Sequence, residues 1–338
     1  MTDLPASYVE VHRYDGAVLQ HGRREQVVPC AIQPRDFAIV RDVHRYKFLS
    51  APQIAELWWP GRDLWCAQRR LHKLFKAGLL DRFRPVARRG SFPWTYHVGE
   101  LGHRMLREGG ALPPTARFRP RMVYDFGHVL HELHLNAWVL ALRRAAGKRF
   151  LEWEGERTIE PPRQTREQMR HSIRHVYGDW TVHGMRDERE RPIYPDAVLE
   201  LERKDGDGYN TYLIEFDRTR RVDKNFEKFR RYDTFLTWWW NRTPEALDLD
   251  PPYVIFVCQE EEQLRAFVRA ADHELTGHHW HASVAPEEYR FIGRERILFC
   301  LEWHAHAGNF VARRVPEFPP DHRGREPNVR GVRFLTSA

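Results

Sequence analysis

The sequence predicts an α+β protein of two domains, and three observations predict it. Between Arg35 and Val98 three short helical patterns are followed by two strand-like runs. Further on, two alternating apolar runs, Ile193–Leu201 and Thr211–Phe216, flank the polar, Gly/Asp-rich connector Lys204–Asn210 and read as a β-hairpin that a helix follows. Charge separates the two parts. The stretch from Gln33 to Pro120 holds 17 Lys/Arg against 7 Asp/Glu, while the remainder holds 37 basic and 40 acidic residues.

Residues 1–32 are mixed in character and are read as an arm. From Arg35 to Phe48 apolar spacing at Phe37, Val40 and Val43 predicts a helix. Ser50 is a suitable N-cap for a second helix, Ala51–Trp58, with Pro52 in its first turn. Pro60-Gly61-Arg62 makes a turn, Asp63 caps a third helix, Leu64–Lys76, and Gly78 ends it. Leu79–Phe83 and Trp94–Val98 then form two strands around the basic loop Arg84–Pro93. Helix, helix, turn, helix and a two-stranded wing describe a winged helix-turn-helix, residues 33–110.

The third helix supports that reading by its angles. At about 100° per residue Leu64, Ala67, Leu71, Leu74 and Phe75 gather on one side. The other side carries Trp65, Arg69, Lys73 and Lys76, with Arg62 just before it. One apolar face to dock and one basic face to present is the layout of a recognition helix. Arg82, Arg84, Arg88 and Arg89 on the wing add reach to a neighbouring phosphate strand or the minor groove. DNA is therefore the expected partner, and a solvated basic face on a protein-docking module is the alternative.

Leu101–Glu108 closes this domain as a helix, and the Gly/Pro-rich, basic stretch 111–124 is read as a linker. A helix over Asp125–Ala146 opens the second domain, 125–315. Within it His128 and Glu132 lie one turn apart, either sharing a metal or bonding across a helix–sheet seam. Lys148–Ile159 is a strand with Glu152, Glu154 and Glu156 on one face, Pro161–Arg191 an insertion, and Tyr253–Cys258 a strand buried on both faces. Glu260–His273 is a helix, Tyr289–Phe291 and Ile297–Glu302 are edge strands, and 316–338 is an irregular tail.

In the hairpin, Glu215 and Asp217 project from one side of the second strand, and Asp196 lies on the partner strand just after Pro195. Three carboxylates converging there repel one another, so a cation is expected among them. An oxygen-only ligand set favours Mg²⁺ or Mn²⁺.

Pro195-Asp196, then Glu215-x-Asp217, then a basic helix resembles the core of the PD-(D/E)xK, restriction-endonuclease-like superfamily. More narrowly the chain is similar to the replication-relaxation family, which joins an amino-terminal winged helix to a nuclease-like half. That family's pattern is a Glu-x-Asp-Arg-Gly-Thr run and a later Lys/Arg-Tyr; here stand Glu215-Phe216-Asp217-Arg218-Thr219, without the Gly, and Arg231-Tyr232. His131-x-Leu133-x-x-Asn136 is similar to a further part of it. The resemblance implies that Asp196, Glu215 and the Phe216 carbonyl bind a divalent metal, completed by Glu154 or, second, by Glu132.

The superfamily places a lysine two residues after the Glu, where this chain has Asp217. Three alternatives follow: a lysine migrated to the next helix, Lys224 or Lys228; Asp217 as a third ligand with a second ion; or a retired site on a DNA-holding scaffold. The corresponding functions are a metal-dependent DNA nuclease or nickase serving a plasmid or integrative element, and a catalytically silent DNA-binding factor. A protein-interaction module within a mobilisation complex is a third.

The composition, 42% hydrophobic and 30% charged over 338 residues, is that of a soluble globular chain. There is no bilayer-length apolar run and no signal-peptide core at the start, and Cys30, Cys66, Cys258 and Cys300 form no CxxC, so the expectation is a cytoplasmic protein with reduced thiols and no membrane partner. Trp238-Trp239-Trp240 is read as a helix end driven into the core, with base stacking as the alternative. His278-His279-x-His281 and His304-x-His306 lack the paired Cys of a zinc site.

Overall fold

The computed structural model describes residues 18–86, 91–121, 126–156, 193–217, 226–236, 240, 250–275, 292–316 and 331–333. The protein is α+β, and it divides into two compact units, residues 1–141 and 142–338.

In the first unit three helices form where local signals place them. Helix α1 (Pro34–Arg45) opens with a reciprocal cap between Gln33 and Asp36. Asp36 is fully buried and is neutralised by the Arg70 guanidinium of α3 (Leu64–Lys76). Helix α2 (Ala51–Trp58) begins at Ser50, whose hydroxyl accepts from the Gln53 N–H while the Gln53 side chain accepts from the Ser50 N–H. Asp63 caps α3 by accepting from the Trp65 N–H at 2.7 Å, and Ala67, Leu71, Leu74 and Phe75 form its buried stripe. Helix α4 (Glu100–Glu108) follows the strands.

Those strands are β1 (Leu19–His21), β2 (Leu49–Ser50), β3 (Leu80–Pro85) and β4 (Thr95–Val98), in the order β1-β3-β4-β2 and antiparallel throughout. The stretch expected to be an arm therefore supplies a strand. Beyond it the chain follows β3 and then the end of α3: the Gly22 N–H donates to the Arg82 carbonyl and the Val28 N–H to the Lys76 carbonyl. The physical reason is the open edge of β3, whose backbone groups need partners. A three-residue strand carries too little periodicity to be read from sequence.

Helix α5 (Phe126–Ala146), expected to open the second domain, lends most of its length to the first unit. Phe126, Val129, Leu130 and Leu133 share a core with Phe48, Phe83 and Phe92. Asn136 Nδ2 donates to the carbonyls of Tyr46 (2.9 Å) and Phe48 (2.7 Å), and Gln53 Nε2 donates to that of Leu133. Between the two carbonyls held by Asn136 sits Lys47, with φ at +57°, a left-handed conformation costly for a residue with a Cβ. Lys47 Nζ reaches Glu132 at 2.9 Å, which gives Glu132 a structural partner within the first unit. The division between the units thus falls at 141/142, beyond the Gly/Pro-rich stretch 111–124.

The second unit is a seven-stranded mixed sheet in the order β11-β10-β9-β8-β7-β6-β5. Its strands are β5 (Phe150–Gly155), β6 (Ala197–Glu202), β7 (Tyr209–Asp217), β8 (Tyr253–Cys258), β9 (Ile297–Leu301), β10 (Val311–Arg314) and β11 (Gly331–Arg333). β7, β8 and β9 run parallel, and the other neighbours antiparallel. Helices α6 (Phe226–Thr234) and α7 (Glu261–Glu274) lie in the connections between the parallel strands, followed by the short α8 (Ile292–Arg296) and α9 (Glu302–His306).

On one sheet face Val198, Leu213, Phe256 and Phe299 pack with Phe229 and Tyr232 of α6 and Phe267 of α7. Two expectations need correction. Ile297–Leu301 lies inside the sheet between β8 and β10, as its five buried residues require, and the tail returns to pair β11 with β10. The expected insertion at 161–191 and the strand at 289–291 lie outside the described residues.

Asn136→Ala should remove the side-chain donor shared by the Tyr46 and Phe48 carbonyls, the first of which keeps the Phe48 N–H, and lower unfolding stability by about 2 kcal/mol, measured by denaturant titration. His97 on β4 is held down to about 4 by burial first and then by the Arg121 charge. Since the unfolded chain takes up this proton near the ordinary value of 6.5, stability is fully present above that pH and falls as pH drops toward 4. His97→Phe should flatten the melting-temperature profile across that window.

Candidate functional site

β7 carries Glu215 toward the end of the parallel strands, and Asp196 immediately precedes β6. Ala197 pairs with Ile214, so continuing the register by one residue sets Asp196 opposite Glu215, on the face that packs α6. Two bonds from backbone N–H groups hold this corner: the Asp196 N–H donates to the Ile214 carbonyl at 2.8 Å, and the Phe216 N–H donates to the side-chain Oδ2 of Asp196 at 2.7 Å. Asp196 and Glu215 are brought together as the sequence predicts.

Glu215 is 3% exposed, and two side chains from α6 meet it. Lys228 Nζ donates to Oε2 and the Tyr232 hydroxyl donates to Oε1, each at 2.6 Å. Lys228 and Tyr232 are four residues apart, hence one turn apart on the same helix face, and they grip the carboxylate like a two-pronged fork. Burial pushes the Glu215 carboxyl upward, Lys228 pulls it back, Asp196 pushes it up again, and the net direction is up. For Lys228 burial acts downward, but attraction to Glu215, their hydrogen bond, and the charges of Asp196 and Asp217 outweigh it, so its net direction is up. Burial, and then Glu215, raise the Tyr232 phenol well above its usual range, so it stays a donor.

A third support comes from α7. Gln263 Nε2 donates to the Asp217 carbonyl at 3.1 Å while its Oε1 accepts from the Gln259 N–H at 2.9 Å, fastening the ends of β7 and β8 together. The site thus lies at the carboxyl ends of adjacent parallel strands, where open α/β sheets place their ligand crevices.

Of the other expected ligands, Glu154 pairs in register with Val198, whose row continues to Leu213, two residues short of Glu215; it is exposed and on the same sheet face as the pair. Among the described residues no group of three His, Cys, Asp or Glu side chains converges to hold a metal ion, so Asp217 completes no three-carboxylate cage. What fits a divalent cation is the narrower set of Asp196 and Glu215, because Mg²⁺ commonly takes one or two carboxylates and fills its remaining positions with water and phosphate. Lys224 lies outside the described residues. Among the described residues Lys228 is the lysine that reaches the acid. Tyr232 was legible only as the second half of the Lys/Arg-Tyr pair.

In the first unit the exposed face of α3 carries Trp65, Gln68, Arg69, His72 and Lys73, with Arg62 exposed in the preceding turn. Gln68 and His72 join the set that the charge pattern had picked out. Lys76 is half-buried beside the amino-terminal stretch. Arg82 is sandwiched between the Phe75 and Trp94 rings, 4.3 and 4.2 Å from their centroids, and Arg84 lies 4.5 Å from the Trp94 centroid while bonding Gln20. Both wing arginines are built into the surface, stacked on aromatic faces. Arg88 and Arg89 lie outside the described residues, as do Trp238, Trp239 and the 278–281 histidines. Trp240 is buried against Phe235 and His306 is buried beside Glu302, both as core members.

This α+β protein thus presents a basic helix face in one unit and a lysine-paired acid centre at the strand ends of the other. A protein-family model described as replication-relaxation matches residues 40–245, from within α1 to beyond α6, and the chain belongs to that family. The searches of curated proteins and of solved structures give no match. Among the described residues no helix is long and apolar enough to cross a membrane.

Tyr232→Phe deletes one of the two donors to a buried carboxylate without changing ring packing. The expected loss is about 2 kcal/mol in denaturant unfolding. An unchanged stability would mean that the Glu215 oxygen finds another donor.

Proposed function

We propose that the protein binds DNA through a winged helix-turn-helix in its first unit, and that its second unit is a PD-(D/E)xK-like nuclease that cleaves or nicks DNA in the replication, relaxation or transfer of a plasmid or other mobile element. The family membership supports the mobile-element setting. The observation that carries the catalytic reading is the contact between Lys228 and Glu215. It restores, from the next helix, the positive charge that the superfamily keeps two residues after the Glu, where Asp217 stands here. Lysine on a following helix satisfies the same electrostatic need as lysine on the strand.

In this reading Asp196, Glu215 and the Phe216 carbonyl hold Mg²⁺ or Mn²⁺, which when bound polarises the phosphate and acidifies a water molecule. The chain's own groups do the remaining work. Lys228, 36% exposed at its side chain, moves from Glu215 to a phosphate oxygen and offsets the charge that develops there. Tyr232, deeply buried, keeps the Glu215 carboxylate oriented throughout. Gln263 fixes the strand end beneath it. Partner proteins of a nucleoprotein complex and a cytoplasmic location complete the proposal.

A second reading is a catalytically silent DNA-binding factor. It is favoured by the engagement of both Glu215 oxygens by donors of the protein itself, which any incoming ion must share or displace.

Supercoiled plasmid incubated with the protein and Mg²⁺ separates the two. The nuclease reading expects nicked circles from the wild type and none from an Asp196→Ala/Glu215→Ala double variant. Lys228→Met should slow nicking on the order of 100-fold. Tight DNA binding with no nicking by the wild type would favour the silent factor.

A further inference from the structure

Beside α3 lies a cleft of about 330 Å³ lined by Gln33, Arg35, Trp65, Arg69, Arg70 and Lys73. Its size is at the lower end of clefts that hold small ligands, roughly 300–1,000 Å³. Two features make it unusual for the face of a duplex-reading helix. First, Trp65 is 58% exposed, the most exposed aromatic ring among the described residues. Its ring is steadied on one side by Arg69, whose guanidinium lies 5.0 Å from the ring centroid. Secondly, the charge of the cleft is one-sided. Asp36 is buried and already neutralised by Arg70, which leaves Arg35, Arg69 and Lys73 as an exposed cationic rim around the indole.

An exposed indole needs a flat partner. Paired bases in a duplex present only their edges and the thymine methyl to the major groove, so their faces are out of reach of a side chain on α3. An unpaired base offers a π-face to the ring, and its flanking phosphates suit a cationic rim. We infer that this cleft is a binding site for an unpaired DNA nucleotide, its base stacked on Trp65 and its phosphates on Arg35, Arg69 and Lys73. The inference rests on the DNA-binding reading and narrows it: the preferred ligand is DNA with a single-stranded or extruded base, and not an uninterrupted duplex.

The test is fluorescence anisotropy at low salt with the full chain and three labelled ligands: a paired duplex, the same duplex with one unpaired base, and an oligo-dT strand. Wild type should bind the second and third more tightly than the first. Trp65→Ala should lose on the order of 10-fold on those two and change little on the duplex, and Trp65→Phe should keep most of the preference. A 2-aminopurine placed at the unpaired position should be quenched by the wild type and not by Trp65→Ala. Equal affinity of the wild type for all three ligands, or an equal loss on all three in Trp65→Ala, overturns the stacking site while leaving DNA binding intact. No binding of any ligand by the wild type overturns the DNA-binding reading itself and this inference with it. Because Trp65 is exposed, its variants should melt like the wild type, and an unchanged melt with no change on any DNA would reassign the ring to a protein contact and also overturn the inference.

Discussion

Everything in the second unit turns on how a carboxylate survives out of water. An ionised side chain stripped of solvent costs several kcal/mol unless nearby groups replace the lost hydration. Glu215 obtains that replacement from a single helix face: an ammonium on one oxygen, a phenol on the other. The consequence runs outward from there. Helix α6 must lie with Lys228 and Tyr232 toward the end of β7, which seats Phe229 among Phe256, Phe267 and Phe299, and those rings are the centre of the core. The polar fork and the apolar cluster are successive positions on one short helix, so the orientation that satisfies one also satisfies the other.

The first unit meets a different constraint, the accumulation of like charge. Its basic side chains are dispersed by giving many of them an aromatic or acidic neighbour. Arg24 and Arg82 lie over Phe75, Arg82 and Arg84 over Trp94, Arg35 over Trp59, and Arg70 is locked to Asp36. Each aromatic ring lends the negative face of its quadrupole to a guanidinium without neutralising its charge, and Arg24 is in addition paired with Asp81. The surface therefore stays electropositive and yet is rigid. A polyanion arriving there meets charges whose positions are already set, which reduces the ordering cost of contact.

How much of this was legible in the sequence depended on whether the governing interaction was local. The bounds of α2, α3 and β8 follow from caps and unbroken apolar periodicity within the element, at Ser50, Asp63 and the Tyr253–Cys258 run. The juxtaposition of Asp196 with Glu215 also follows, because a hairpin determines its own register. What escaped was long-range. The three residues of β1 and of β11 become strands only because β3 and β10 offer open edges. Helix α5 looked like the opening of a new domain because Gly and Pro precede it, but its apolar first turns had a waiting partner in Phe48 and Phe83. Lys228 turns toward Glu215 from the following helix, and spacing alone does not show that it does.

The sheet of the second unit has a bearing on how the family boundary is understood. The matched stretch stops at 245, yet β8 and β9, which flank β7 on its far side, and Gln263, which ties down the Asp217 carbonyl, all follow it in the chain. A fragment trimmed to the matched stretch would strip β7 of its parallel neighbour and bare a hydrophobic ribbon edge, a ready template for self-association. The acid centre belongs to the recognisable stretch by composition and to the carboxyl-terminal hundred or so residues by mechanics, and heredity and load-sharing here have different borders.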